Sequence, residues 1–232
     1  MSRYNAPNFV IFISRFCIFL GFAPSCKCGR LQRSKRILGG SETYANKYPW
    51  MALLWPLKMC RSPCGGTLLN NQWVLTAGHC THDILIPAQL QVQLGQHDLL
   101  EDTTNVLIIP VKEIIPHPDY DNDYKSLNIP NYDFALLKLS TKVDFSITPH
   151  VRPICLPTSA QISINRRRKP VVAGWGLLSQ IDCASKLMET SVDYYTNEEC
   201  KELTDFHEQA ITPQMLCAGG NGRSDACQGD SG

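Results

Sequence analysis

The chain has 232 residues, 44% of them hydrophobic, and balances 22 Lys and Arg against 21 Asp and Glu for a net charge of +1. That composition excludes a disordered or fibrous protein and leaves no field of one sign to favour nucleic acid or an anionic surface. Eleven cysteines without paired Cys-x-x-Cys groups argue against a zinc module and for disulfides formed in an oxidising compartment, with an odd thiol left over.

In chain order, Phe9 to Ala23 is an apolar run that follows Arg3. It has the length of a signal-peptide core and falls short of the roughly 20 residues that span a bilayer. Residues 1–25 are therefore expected to be a secretory leader. A noncleaved anchor is the other reading, because Arg15 interrupts the run and Pro24 follows directly on Ala23. Residues 26–36 are short, polar and basic, and end in Arg33-Ser34-Lys35-Arg36, as a propeptide or linker with a processing site would.

Beyond Ile37, short apolar stretches recur between turn residues. The pattern predicts strands over 51–57, 67–69, 73–76, 90–94, 106–115 and 134–139, with a polar surface loop over 121–132. A second set follows Pro153, predicted over 171–173, 187–195 and 215–218. Many short strands at this spacing predict an all-β barrel or sandwich. Thr196 with Glu199 three residues on forms a capping box, so one helix is expected from Asn197 to about Asp205.

Three segments carry candidate chemistry. Ser231 lies in Gly229-Asp230-Ser231-Gly232, where small residues let backbone N–H groups converge on a developing negative charge. His79 ends the run Leu75-Thr76-Ala77-Gly78-His79 before Cys80, and Asp133 stands ahead of Phe134-Ala135-Leu136-Leu137. Each alone has an ordinary reading: a surface histidine, a strand cap, a turn.

Together, in the order His, Asp, Ser, they resemble the chymotrypsin and trypsin family of serine endopeptidases. The resemblance runs from about Ile37 to Gly232. It includes Pro49-Trp50, Cys64-Gly65-Gly66, Trp73 to Cys80, Val151-Arg152-Pro153-Ile154-Cys155-Leu156-Pro157 and Gly174-Trp175-Gly176. It implies an all-β peptidase domain over 37–232, built as two six-stranded antiparallel Greek-key barrels, the first over 37–152 and the second over 153–232. The second is expected to be incomplete at its C-terminus, since the sequence stops one residue after Ser231.

The resemblance also assigns roles. Ser231 would be the nucleophile, His79 the base, and Asp133 the acceptor that fixes the histidine's tautomer. The N–H groups of Gly229 and Ser231 would form the oxyanion hole. Asp225, six residues before Ser231, would sit at the base of the specificity pocket and select Arg or Lys ahead of the cut. Cleavage at Arg36-Ile37 would free an amino group on Ile37 to pair with Asp230, converting a zymogen to an active enzyme. The partners implied are protein or peptide substrates, an activating protease and a protein inhibitor, with no nucleic acid and no membrane for the mature form. The alternative is a truncated, noncatalytic homologue that binds or regulates.

By the same resemblance Cys64 pairs with Cys80, Cys200 with Cys217, and Cys28 with Cys155. Cys227 would need a partner this sequence lacks, and Cys26, Cys60 and Cys183 have no assigned partner. No cofactor or metal is expected. Calcium in the loop after Leu94-Gly95 is disfavoured because Gln96 replaces an acidic ligand. Arg166-Arg167-Arg168-Lys169 reads as a solvated loop. Gly78 stands where the family usually has alanine, a small-for-small difference expected to have no consequence.

Overall fold

Alternating burial marks several strands of the first half. Cys64–Leu68 and Gln91–Leu94 alternate buried with half-exposed positions, as a strand with one face on a core must. A computed structural model of the chain describes residues 9–10, 28–31, 41–55, 64–100, 104–121, 130–156, 169–176, 184–203 and 210–219. Among these the strands are β1 (Phe9–Val10), β2 (Ser41–Glu42), β3 (Met51–Trp55), β4 (Cys64–Leu68), β5 (Trp73–Thr76), β6 (Gln91–Leu94), β7 (Leu107–Pro116), β8 (Ala135–Leu139), β9 (Val171–Gly174), β10 (Met188–Ser191), β11 (Asp193–Tyr195) and β12 (Cys217–Gly219), with helix α1 at Asn197–Leu203.

Six strands close a barrel in the order β3-β4-β5-β8-β7-β6, every pairing antiparallel. Its interior is filled by Ala52, Leu54, Leu68, Val74, Val92, Leu94, Val111, Leu137 and Leu139, all essentially without solvent contact. Branched aliphatics suit this interior because they pack well on a pleated surface. β3 is buried on both faces. Ala52 and Leu54 point into the barrel, while Leu53 packs outward against Trp175 and Leu187 from the second half of the chain. The indole N–H of Trp175 donates to the carbonyl of His97 at 3.0 Å, so this seam is hydrogen-bonded as well as apolar.

The second half contributes two strands to each of two three-stranded sheets among the described residues, β2-β10-β9 and β1-β12-β11, while β2 and β1 come from the N-terminal side of the chain. The stretch expected as one strand over 187–195 is divided. Val192 turns inward, 2% exposed, and its N–H donates to Pro170 C=O, which sends β10 and β11 into different sheets. β4 is longer than the pattern suggested because Gly65 and Gly66 run extended within it. The capping box forms as expected. Thr196 N–H donates to Glu199 Oε2 at 2.8 Å and Glu199 N–H to Thr196 Oγ1 at 3.1 Å. α1 then packs Cys200 against Ile211, Cys217 and Tyr195. No helix among the described residues is long and apolar enough to cross a membrane.

Disulfides join Cys28 to Cys155, Cys64 to Cys80 and Cys200 to Cys217, the three pairs the resemblance implied. Cys17, Cys26, Cys60, Cys183 and Cys227 lie outside the described residues, as do Arg166, Arg167 and Arg168. Lys169, the last of the basic run, pairs with Asp193 at 2.8 Å. Gln96 is buried, and its amide nitrogen donates to Asp98 C=O at 2.6 Å.

Candidate active site

The pairing of β5 with β8 places Thr76 opposite Ala135. The chain therefore leaves β5 and enters β8 at the same end of the barrel, and the residues just beyond that rim are His79 and Asp133. His79 is carried on a tight turn in which Cys80 N–H donates to Ala77 C=O and Thr81 N–H to Gly78 C=O. The Cys64–Cys80 bridge ties that turn back to β4.

Asp133 is 6% exposed and directs both oxygens at His79. Oδ1 accepts the backbone N–H of His79 at 2.8 Å. Oδ2 lies 2.7 Å from the imidazole Nδ1. A carboxylate only accepts, so Nδ1 carries a hydrogen, and in the neutral ring the lone pair is on Nε2. The imidazole is 39% exposed, and its Nε2 lies 3.6 Å from Cys80 Sγ. Such a ring can take a proton from an incoming hydroxyl while its far nitrogen stays anchored. Cys64, Cys80 and His79 bring three ligand-type atoms together, but the two sulfurs are bonded to each other and offer no thiolate to a metal.

The walls around the pair are tight. A methyl group on Gly78 would meet the Tyr120 ring at 2.9 Å and Asp133 Oδ1 at 3.1 Å. Gly78 is thus not freely exchangeable for alanine, contrary to the expectation: the Tyr120 ring would have to move aside. Burial and the nearby Asp133 charge push the Tyr120 phenol up to about 12, so it keeps its hydrogen over the working range. His117 is held below the ordinary imidazole range by burial, opposed by the neighbouring Asp119 carboxylate.

The loop expected over 121–132 is closed at its base rather than free throughout. Asp121 and Asn131 exchange N–H and C=O bonds at 3.1 and 2.9 Å, and Asn131 is buried. Its Oδ1 accepts Tyr132 N–H at 3.0 Å and the Thr212 hydroxyl at 3.1 Å. Thr212 belongs to the second half of the chain, so this bond joins the halves beside Asp133. Sequence reasoning did not single out Asn131, Tyr132, His117 or Thr212. The one available signal was Pro116-His117-Pro118-Asp119-Tyr120 at the end of a strand, which reads as a turn.

Of the expected site residues, the structure brings His79 and Asp133 together. Ser231, Gly229, Asp230, Asp225, Arg36 and Ile37 lie outside the described residues.

Comparison with known proteins gives a family model described as Trypsin that matches residues 37–232. Among curated proteins, the chain is 36% identical over 216 residues to coagulation factor XI of Bos taurus, covering 89% of this chain and 32% of that protein. It is 35% identical over 226 residues to CLIP domain-containing serine protease HP8 of Bombyx mori, covering 88% and 58% respectively. It is 35% identical over 217 residues to melanization protease 1 of Drosophila melanogaster, covering 85% and 53%. The chain spans between about a third and three-fifths of the length of these relatives.

Proposed function

This chain belongs to the trypsin family of serine proteases, and on that premise we propose that it is a secreted endopeptidase, made as a zymogen, that cuts peptide bonds after Arg or Lys. The observation that carries the reading is the His79–Asp133 pair: a buried acceptor, an anchored Nδ1 and a part-exposed imidazole.

In this mechanism Ser231 Oγ attacks the scissile carbonyl as His79 Nε2 takes its proton. Asp133 stabilises the imidazolium that results, and His79 returns the proton to the leaving amine. Water then repeats the sequence on the acyl-enzyme, again with His79 as base. The N–H groups of Gly229 and Ser231 hold the oxyanion, each such donor contributing roughly 3–4 kcal/mol to transition-state stabilisation. Asp225 supplies the carboxylate that receives a basic side chain ahead of the cut. Cleavage at Arg36-Ile37 lets the new Ile37 amine pair with Asp230, which would otherwise lie buried and unpaired beside the nucleophile at a cost of several kcal/mol. Residues 1–25 act as the leader and 26–36 as the propeptide, with an activating protease and protein substrates as partners.

The test is to treat the activated protein with a fluorophosphonate probe and to assay Arg-, Phe- and Val-terminated peptide amides. Labelling at Ser231 with fastest turnover of the Arg substrate is expected. A protein that folds but takes no probe is a noncatalytic homologue, and a preference for Phe overturns the role of Asp225.

A further inference from the structure

Asp133 is the centre of a three-residue turn with an uncommon backbone. Tyr132 has φ of +50°, a left-handed conformation that glycine or asparagine adopts readily and tyrosine does not. Two contacts keep it there. Its N–H donates to Asn131 Oδ1 at 3.0 Å. Its ring lies flat on the imidazole of His117, the centroids 4.7 Å apart and the planes within 5°.

The same imidazole meets Phe134 edge-on at 4.6 Å, and His117 N–H donates to Phe134 C=O at 3.0 Å. Phe134 N–H in turn donates to Tyr132 C=O at 2.8 Å, closing the turn around Asp133. His117 thus contacts the residues on either side of Asp133. Its own ring is oriented in turn, because Nδ1 accepts Asp119 N–H at 3.1 Å.

We propose that His117 is a positioning residue for Asp133: its ring braces Tyr132 in the left-handed conformation and so sets where the two carboxylate oxygens lie. The proposal rests on the reading of Asp133 as the acid of the proton relay. Without the brace, Tyr132 relaxes toward negative φ and the carboxylate swings away from its two contacts on His79. A displacement of about 1 Å at such a site costs on the order of 100-fold in rate.

A double-mutant cycle tests it on the activated protein. His117→Ala is expected to lower kcat by roughly 10- to 100-fold with KM nearly unchanged. In a Tyr132→Asn background, where the residue tolerates positive φ unaided, the same substitution should lower kcat by no more than about 3-fold. His117→Phe keeps a flat ring and should retain most of the activity, whereas His117→Leu fills the space without stacking and should not. The Phe and Leu pair carries the test if the alanine variant fails to fold.

The downfield proton on His79 Nδ1, read by NMR, should follow the same order: lost or shifted in His117→Ala, restored in the double variant. Equal losses in both backgrounds, or a loss in His117→Phe as large as in His117→Leu, overturn the proposal. A wild-type protein that neither turns over substrate nor takes the probe sinks the protease reading alone, because the Nδ1 proton needs no turnover to be seen.

Discussion

Asp133 uses both oxygens on one residue, which makes its replacement by asparagine a sharp probe. The amide would present an N–H to one of the two His79 donors and leave the imidazole in the wrong tautomer, so Asp133→Asn is expected to cost on the order of 10⁴-fold in kcat. An unchanged thermal midpoint in the same variant separates this from unfolding. His117 predicts a pH effect of definite sign. Burial lowers its affinity for a proton below the ordinary value of 6.5, so on acidification the unfolded chain protonates first. The stability contributed by the neutral ring is present in full above about 6.5 and is lost as pH falls from there through the lowered folded value. The denaturant midpoint should therefore fall on acidification from about pH 7.5 to 5, and fall less in His117→Phe. His79 and Asp133 were legible in the sequence through the resemblance carried by the His, Asp, Ser order and its accompanying segments, since each alone reads as a surface histidine or a strand cap. Tyr132 and His117 were not: left-handed backbone is normally signalled by glycine or asparagine, and a tyrosine there becomes intelligible only once the stacked ring is seen.

The strands place the pair through register, and register follows from which faces are buried. A slip of one residue between β5 and β8 would turn Val74 and Leu137 out of the core, a cost that fixes Thr76 against Ala135. That much could be read from alternation and apolar runs. The division of the 187–195 stretch at Val192 could not, since a run of mixed apolar and polar residues without a turn residue does not say which of two sheets each half will join. The Thr212 bond to Asn131 was equally hidden, because it links elements 81 positions apart. Thr212→Val keeps the side chain's shape and removes the donor. It should destabilise the protein by about 1 kcal/mol, seen as a lower denaturant midpoint with an unchanged slope.

At the scale of the whole molecule, the Cys28–Cys155 bridge spans a separation of 127 residues and crosses the proposed activation site. Gly29 has φ of +63°, and a side chain on it would meet Cys155 Sγ at 2.8 Å, so the approach to the bridge depends on glycine. After cleavage at Arg36-Ile37, the segment bearing Cys28 should separate on a gel only under reduction. In Cys28→Ser it should be lost without reductant, with a lower unfolding temperature for the intact precursor, since closing a loop of this length contributes roughly 4–5 kcal/mol. The closed barrel draws every strand from residues 51–139, and both His79 and Asp133 lie within that span, just beyond the barrel's rim. A ribosome adding about 5–20 residues per second needs on the order of 5–20 s to travel the roughly 90 residues from Leu139 to Ser231. For that interval the nascent polypeptide can hold the paired His79 and Asp133 before Ser231 is translated, so the proposed relay gains its third member last and even then awaits the cut at Arg36-Ile37.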